Sequence, residues 1–253
     1  MAIYSHSRLS TYEQCPQKYK FKYIDKTEPD FEKSIESHLG KCVHDALEWL
    51  YKEVLKGRTP ALDEVIERYT NTWQKNYKET FLIVRKECQP EDYFNKGIKF
   101  LVEYYLKNYP FKDGTIAVEK ELIINLHKDS EHKIIGYVDR LVYNKERDEY
   151  EIHDYKTGNT IPDRAKFELD RQLGIYGLGI KQLFGYDKRI LLVWHYLDHN
   201  LKVYSQRTDL QYEQLKKEIL NLIHEVEKTT VFPTNKSSLC DWCEFKSKCP
   251  AWN

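Results

Sequence analysis

The stretch that most constrains the fold runs from Gly136 to Gly158 and reads GYVDRLVYNKERDEYEIHDYKTG. Two apolar-rich runs, Ile134 to Tyr143 and Glu149 to Tyr155, flank the charged segment Lys145 to Asp148, a strand–turn–strand pattern. The turn contains no Asn-Gly or Asp-Gly, and a four-residue loop fits it. Pairing Asn144 with Glu149 sets Asp139 opposite Asp154, with Cβ atoms about 5 Å apart. Like charges so placed repel unless something positive lies between them. Lys156 is two residues beyond Asp154, on the same face and about 6–7 Å along the strand. A cation about 2 Å from a carboxylate oxygen, with its water another 2 Å out, would bring that water within about 3 Å of the lysine. Asp139, Asp154 and Lys156 therefore bracket a divalent cation and its activated water. Tyr137, Leu141, Tyr150 and Ile152 share this face and are expected to be buried, where unpaired carboxylates are expensive. A surface hairpin with ordinary charges is the bland alternative.

The 253 residues carry no low-complexity linker and suit one large domain or a core with appendages. Lysine plus arginine balances aspartate plus glutamate, 40 against 40, so any nucleic-acid contact must come from a local patch. The 20 tyrosines offer stacking surfaces, although most are expected at the core and its rim. No apolar run of about 18 residues exists, and MAIYSHSRLS is not a signal peptide, so the expectation is a cytoplasmic protein with no membrane contact. Six cysteines in that compartment argue for metal binding rather than disulfides.

Taken in order, SHSRLSTYEQCPQKYKFKY from Ser5 to Tyr23 offers Ser7 or Ser10 as a helix cap, with Ser10 and Glu13 fitting a capping box. Pro16 predicts that this helix starts late or breaks there. Leu39 to Lys56 is an amphipathic helix through Val43, Leu47, Leu50 and Val54, closed by Gly57. His44 sits at the border of its stripe, where periodicity alone favours a half-buried histidine. Residues 62–80 and 91–109 read as two further helices, a helical insert that shapes a channel or covers the sheet. Ile116 to Leu126 is a strand with Glu119 and Glu121 on one face. Either can be an extra metal contact, but an exposed face is the expectation. Pro162 opens a helix to about Phe184, with Leu169, Leu173 and Ile180 in its core stripe and Gln172 and Tyr176 sharing a face. Strands over Arg189–Tyr196 and Lys202–Arg207 and an amphipathic helix over Leu210–Lys228 follow.

The tail TNKSSLCDWCEFKSKCP spaces Cys240, Cys243 and Cys249 as C-x2-C-x5-C, a strong metal signal in a reducing cytosol. A complete site usually takes four ligands. Cys15, Cys42 and Cys88 are the available donors, and residue chemistry leaves both the choice among them and the choice between zinc and an iron–sulfur cluster open. Taken alone, each of the three looks like a packing residue.

Six segments in order, SRLSTYEQCPQKYKFKY, LGKCVHDALE, GYVDRLV, HDYKTG, RQLGIY and CDWCEFKSKC, resemble the RecB-type branch of the PD-(D/E)XK nucleases, and especially its iron–sulfur members. These include CRISPR-associated exonucleases and AddB-like helicase–nuclease subunits. The resemblance spans nearly the whole chain. It implies that His44, Asp139 and Asp154 are metal ligands, joined by the Tyr155 carbonyl, and that Lys156 positions or activates the attacking water. It implies that Gln172 and Tyr176 support the site, and that Cys15, Cys240, Cys243 and Cys249 hold a [4Fe–4S] cluster. The acidic residue before Lys156 is Asp, as in the RecB branch, rather than Glu. Residues 58–110 match none of its motifs.

The expected fold is α/β, a restriction-endonuclease-like mixed sheet with flanking helices, a helical insert and a cysteine-clamped C-terminal end. A single nuclease domain would comprise residues 1–57 (cluster and histidine helix), 58–110 (insert), 111–228 (core) and 229–253 (cluster tail). The expected activity is Mg²⁺- or Mn²⁺-dependent hydrolysis of DNA at ends or single strands, in repair, recombination or CRISPR adaptation. A helicase, CRISPR adaptation proteins or phage recombination factors are the partners to consider. Two rivals remain: a non-catalytic DNA-end or scaffold subunit, and a zinc-stabilised interaction protein.

Overall fold

A computed structural model describes residues 3–126 and 132–252. It opens with strand β1 (Ile3–Ser5), helices α1 (His6–Gln14) and α2 (Pro16–Tyr19), a π-helical turn over Lys20–Ile24, and the long helix α3 (Ile35–Leu55). The insert supplies α4 (Leu62–Asn76) and α5 (Pro90–Asn108). The remainder is β2 (Thr115–Asn125), β3 (Lys133–Asn144), β4 (Glu149–Lys156), α6 (Arg164–Glu168), α7 (Arg171–Phe184), β5 (Arg189–Tyr196), β6 (Leu201–Gln206) and α8 (Asp209–Lys228).

The six strands form one mixed sheet, as expected of a restriction-endonuclease-like α/β fold. β2 runs antiparallel along β3 from Lys133 to Val142 and occupies one edge of that strand. Both other partners of β3 must then use its opposite edge: β1 pairs with Lys133–Ile135 and β4 with Arg140–Asn144. Between them lies a gap at Gly136–Asp139, and the functional residues gather there. β4 continues in parallel pairing with β5 as far as Lys156, so β3 and β4 part like a fork.

Two apolar cores sandwich the sheet. One packs α1, α7 and α8 against it through Leu9, Leu173, Ile180, Ile219 and Ile223. The other packs α3, α4 and α5 on the opposite face through Leu39, Val43, Leu47, Leu50, Tyr69 and Phe100. Each such side chain, fully buried, contributes roughly 1.5–3 kcal/mol. The insert thus covers the sheet by lying on α3.

Several local expectations are corrected. The cap of α1 is Ser5, whose Oγ accepts from the Arg8 amide, rather than Ser7 or Ser10. The helix does break at the proline: Pro16 starts α2 and Cys15 is held extended between the two helices. The single helix from Pro162 is two. Asp170 caps α7 through the Leu173 amide, and Leu169, expected in the core, is 77% exposed in the break. Tyr137, expected to be buried, is 45% exposed and donates to Glu121 instead. Regular alternation would have buried it; the alternation of both strands inverts nearby. Ile134, Val138 and Leu141 all enter the α7-side core, and on β2 Ala117 and Leu122 do so while Val118 faces the other core. Glu119, at φ 45°, lies at the inversion.

Candidate active site

The hairpin register is the expected one from Asn144–Glu149 to Arg140–His153, but the ladder stops there. Asp139 does not face Asp154 across a closed pair. Its Oδ2 accepts from the Tyr155 amide at 2.9 Å, where a ladder bond would otherwise run. Tyr155 offers its carbonyl to His44 Nε2 at 2.8 Å, and His44 Nδ1 lies 3.4 Å from Asp139 Oδ2. The imidazole therefore bridges the two oxygens of the fork from α3, and the border position on the stripe is what allows it. Burial pulls this imidazole down, but the Asp139 carboxylate, with Asp154 and the Tyr155 carbonyl, outweighs it and raises its pKa to about 9.

Asp154 enters from the other side of β4. It is buried, and desolvation raises its carboxyl against the opposing pull of Lys156, with Asp139 adding repulsion. Lys156 Nζ donates to Asp154 Oδ1 at 3.1 Å and to Gln172 Oε1 at 2.9 Å. It also stands 2.8 Å from Asp154 Oδ2, so the ammonium spans both oxygens of that carboxylate. Burial depresses the ammonium, Asp154 more than compensates, and the pKa of Lys156 is raised, so it is a cation at neutral pH. Gln172 Nε2 in turn donates to Tyr176 at 3.3 Å. Tyr176 lies over the gap: a Cβ on Gly136 would meet its Cε1 at 2.4 Å, so any side chain at this position of β3 would have to displace the Tyr176 ring.

One group was underweighted in the sequence. Glu119 joins His44 and Asp139 in a cluster whose ligand atoms lie within 4.8 Å of one another. Desolvation, with Asp139 and Glu48, raises its carboxyl to about 7. The signal was its place two residues before Glu121; what hid it was the inverted alternation that aims it inward. This nitrogen-and-carboxylate set, with the Asp154 carboxylate beside it, fits a hard divalent cation.

At the far end, Cys15, Cys240, Cys243 and Cys249 line one cavity. The tail is docked by the Pro233 carbonyl accepting from Gln17, by Asn235 donating to Gln14 and by Glu244 pairing with Lys18 at 2.8 Å. Cys42 and Cys88 lie apart from that cavity, in the α3–α5 core.

A mixed sheet whose forked central hairpin presents two aspartates and a lysine, with an N/O ligand cluster between, defines a metal-using nuclease core. The Asp139…Asp154-Tyr155-Lys156 spacing is the D…(D/E)-X-K pattern, and the PD-(D/E)XK nuclease superfamily model matches residues 3–250. The chain belongs to that superfamily, whose members are nucleases that use divalent metals. A proposed exonuclease from Eubacterium rectale is similar in structure, at TM-score 0.56 and 12% identity over 95% of this chain and 86% of that one. SSO0001 aligns over 97% of this chain and 85% of its own at 15% identity and TM-score 0.42. No curated protein matches the sequence.

Proposed function

We propose that the protein is a Mg²⁺- or Mn²⁺-dependent deoxyribonuclease of the RecB type, hydrolysing phosphodiesters at DNA ends or in single strands. The observation that carries this reading is the cluster of His44, Glu119 and Asp139, whose ligand atoms lie within 4.8 Å of one another, beside Asp154 and an intact Lys156. Carboxylates gathered this closely repel one another, and a divalent cation would neutralise them. His44, Asp139, Asp154 and the Tyr155 carbonyl would hold that cation, with Glu119 beside them. When bound, the ion would neutralise charge growing on the phosphate and make water acidic enough to attack.

The chain's own residues supply the rest. Lys156 would position or activate the attacking water, and its ammonium can donate hydrogen bonds to the incoming oxygen and to the pentacovalent phosphate, stabilising the charge that grows there. Gln172 holds the ammonium from behind, and Tyr176 holds Gln172. Attack at phosphorus breaks the bond to the leaving sugar oxygen, which departs as an alcohol after taking a proton from solvent.

The cysteine cavity supports a [4Fe–4S] cluster as its occupant. Among the described residues, the cluster of three or more ligands within 4.8 Å is the acidic one, and the thiols are set wider. A single zinc ion with ligands at about 2.3 Å would draw thiols to within about 4 Å of each other. The pathway proposed is DNA repair, recombination or CRISPR adaptation, in the cytoplasm, with a helicase or CRISPR adaptation proteins as partners. No helix among the described residues is long and apolar enough to cross a membrane. The test is cleavage of end-labelled single-stranded and duplex DNA with Mn²⁺ or EDTA. Metal-dependent products that vanish in Asp154→Ala support the reading; undiminished cleavage by that variant overturns it.

A further inference from the structure

Arg140 is fully buried, and its guanidinium is the centre of a polar network between the sheet and the insert. Nε donates to the Tyr155 hydroxyl at 2.9 Å, Nη2 contacts His153 Nδ1 at 2.7 Å, and Nη1 donates to Thr115 at 3.0 Å and to Asp113. The guanidinium also lies 4.3 Å from the ring centroid of Tyr51. The Tyr155 hydroxyl continues to Tyr104 at 3.1 Å, and Tyr104 to Tyr51 at 2.7 Å. Burying an ion costs several kcal/mol, and apolar side chains of similar volume are often as stable. Stability alone is therefore a poor reason for a cation here.

Its position supplies a better one. Arg140–His153 is the last closed pair before the fork. Two residues further along β4, the Tyr155 peptide directs its N–H at Asp139 and its carbonyl at His44. A small rotation of β4 about its axis would misaim both groups at once. The Tyr155 phenol, clamped between Arg140 and Tyr104, prevents that rotation.

We propose that Arg140 is a positioning residue for the metal centre, acting through the Tyr155 phenol, and that Tyr104 makes the insert part of the same device. The inference rests on the nuclease reading above. It makes the insert, which matches no motif, a support of the metal site as well as a cover for the sheet.

The test is Mn²⁺ binding to the intact protein, followed by the paramagnetic resonance signal of free Mn²⁺. Tyr155→Phe removes one hydroxyl and is expected to weaken binding about tenfold, in the range of other outer-sphere partners of metal ligands. Arg140→Lys should do the same and Tyr104→Phe should cause a smaller loss. In each, excess Mn²⁺ should restore turnover of a small diester such as bis-p-nitrophenyl phosphate. Tyr105→Phe is the control: its hydroxyl serves the Pro60 carbonyl, outside the network, and metal affinity should not change. If Arg140→Lys does not fold, Tyr155→Phe decides. Wild-type affinity in Tyr155→Phe overturns the inference and leaves the nuclease reading intact. Wild-type protein that binds no Mn²⁺ overturns both.

Discussion

The Tyr155 amide donates to Asp139 Oδ2 at 2.9 Å, replacing a strand-to-strand bond with a bond to a candidate metal ligand. The same peptide gives its carbonyl to His44. One peptide unit thus ties together residues from α3, β3 and β4.

Asp154→Asn should reduce cleavage by at least about 10²-fold, the scale set by loss of a single group stabilising transition-state charge. The metal-free protein should melt at the same temperature or higher, because the buried charge and its repulsion with Asp139 are gone. Calorimetry in EDTA checks this; a large drop in melting temperature would make Asp154 structural.

His44 gives the metal-free protein a pH dependence of definite sign. Its folded pKa, about 9, exceeds the ordinary histidine value of 6.5, so its contribution is fully present below 6.5 and is lost as pH rises through 9. Asp154, also raised, acts in the same direction from 3.8 upward. A ligand imidazole must be neutral, so metal binding near pH 7.5 should release about one proton and tighten with pH. Titration calorimetry in buffers of different ionisation enthalpy measures it, and binding without proton release would remove His44 from the ligand set.

Lys156→Met should lower kcat by roughly 10²–10³-fold with little change in KM, as for a lost transition-state donor. Gln172→Ala should act in the same direction and more weakly, because Lys156 keeps Asp154. An unchanged kcat in Lys156→Met would show that another group stabilises the charge.

Cys15→Ala should bleach any iron chromophore and leave residues after Phe232 sensitive to protease, since the tail is otherwise held by polar and ring contacts with α1, α2 and the stretch from Phe21 to Asp30. Cys42→Ala should do neither. Full iron and sulfide in purified Cys15→Ala protein would place the fourth ligand elsewhere.

DNA binding should show a modest salt dependence, equivalent to about three to five phosphates, because the formal net charge is zero. A slope equivalent to ten would reveal a large basic surface.

Much of the fold was legible because apolar periodicity and turn chemistry act locally. Asn144, whose Oδ1 accepts from the Arg147 amide, closes the turn that the flanking runs implied. The strand Arg189–Tyr196 appears at its expected bounds. Of the candidate site, His44, Asp139, Asp154, Tyr155, Lys156, Gln172 and Tyr176 come together around the fork. Three features stayed hidden for the same reason: they depend on the chain leaving its regular period. Glu119 turns inward because its backbone is left-handed. Tyr137 lies outside because alternation inverts beyond it. Arg140 reads in sequence as one more solvated charge, and only the tertiary fold surrounds it with phenols and imidazoles.

The two strands that share one edge of β3 arrive there by very different routes. β4 reaches it through a four-residue turn, whereas β1 must be brought in across more than a hundred residues. Closing the short loop is fast and entropically cheap, and the long one is neither. The hairpin bearing Asp139 and Asp154 should therefore form early, and the far side of the gap should close among the last events of folding. The gap is bounded on its second side only when β1 docks, so the catalytic pocket would mature after the scaffold that carries it.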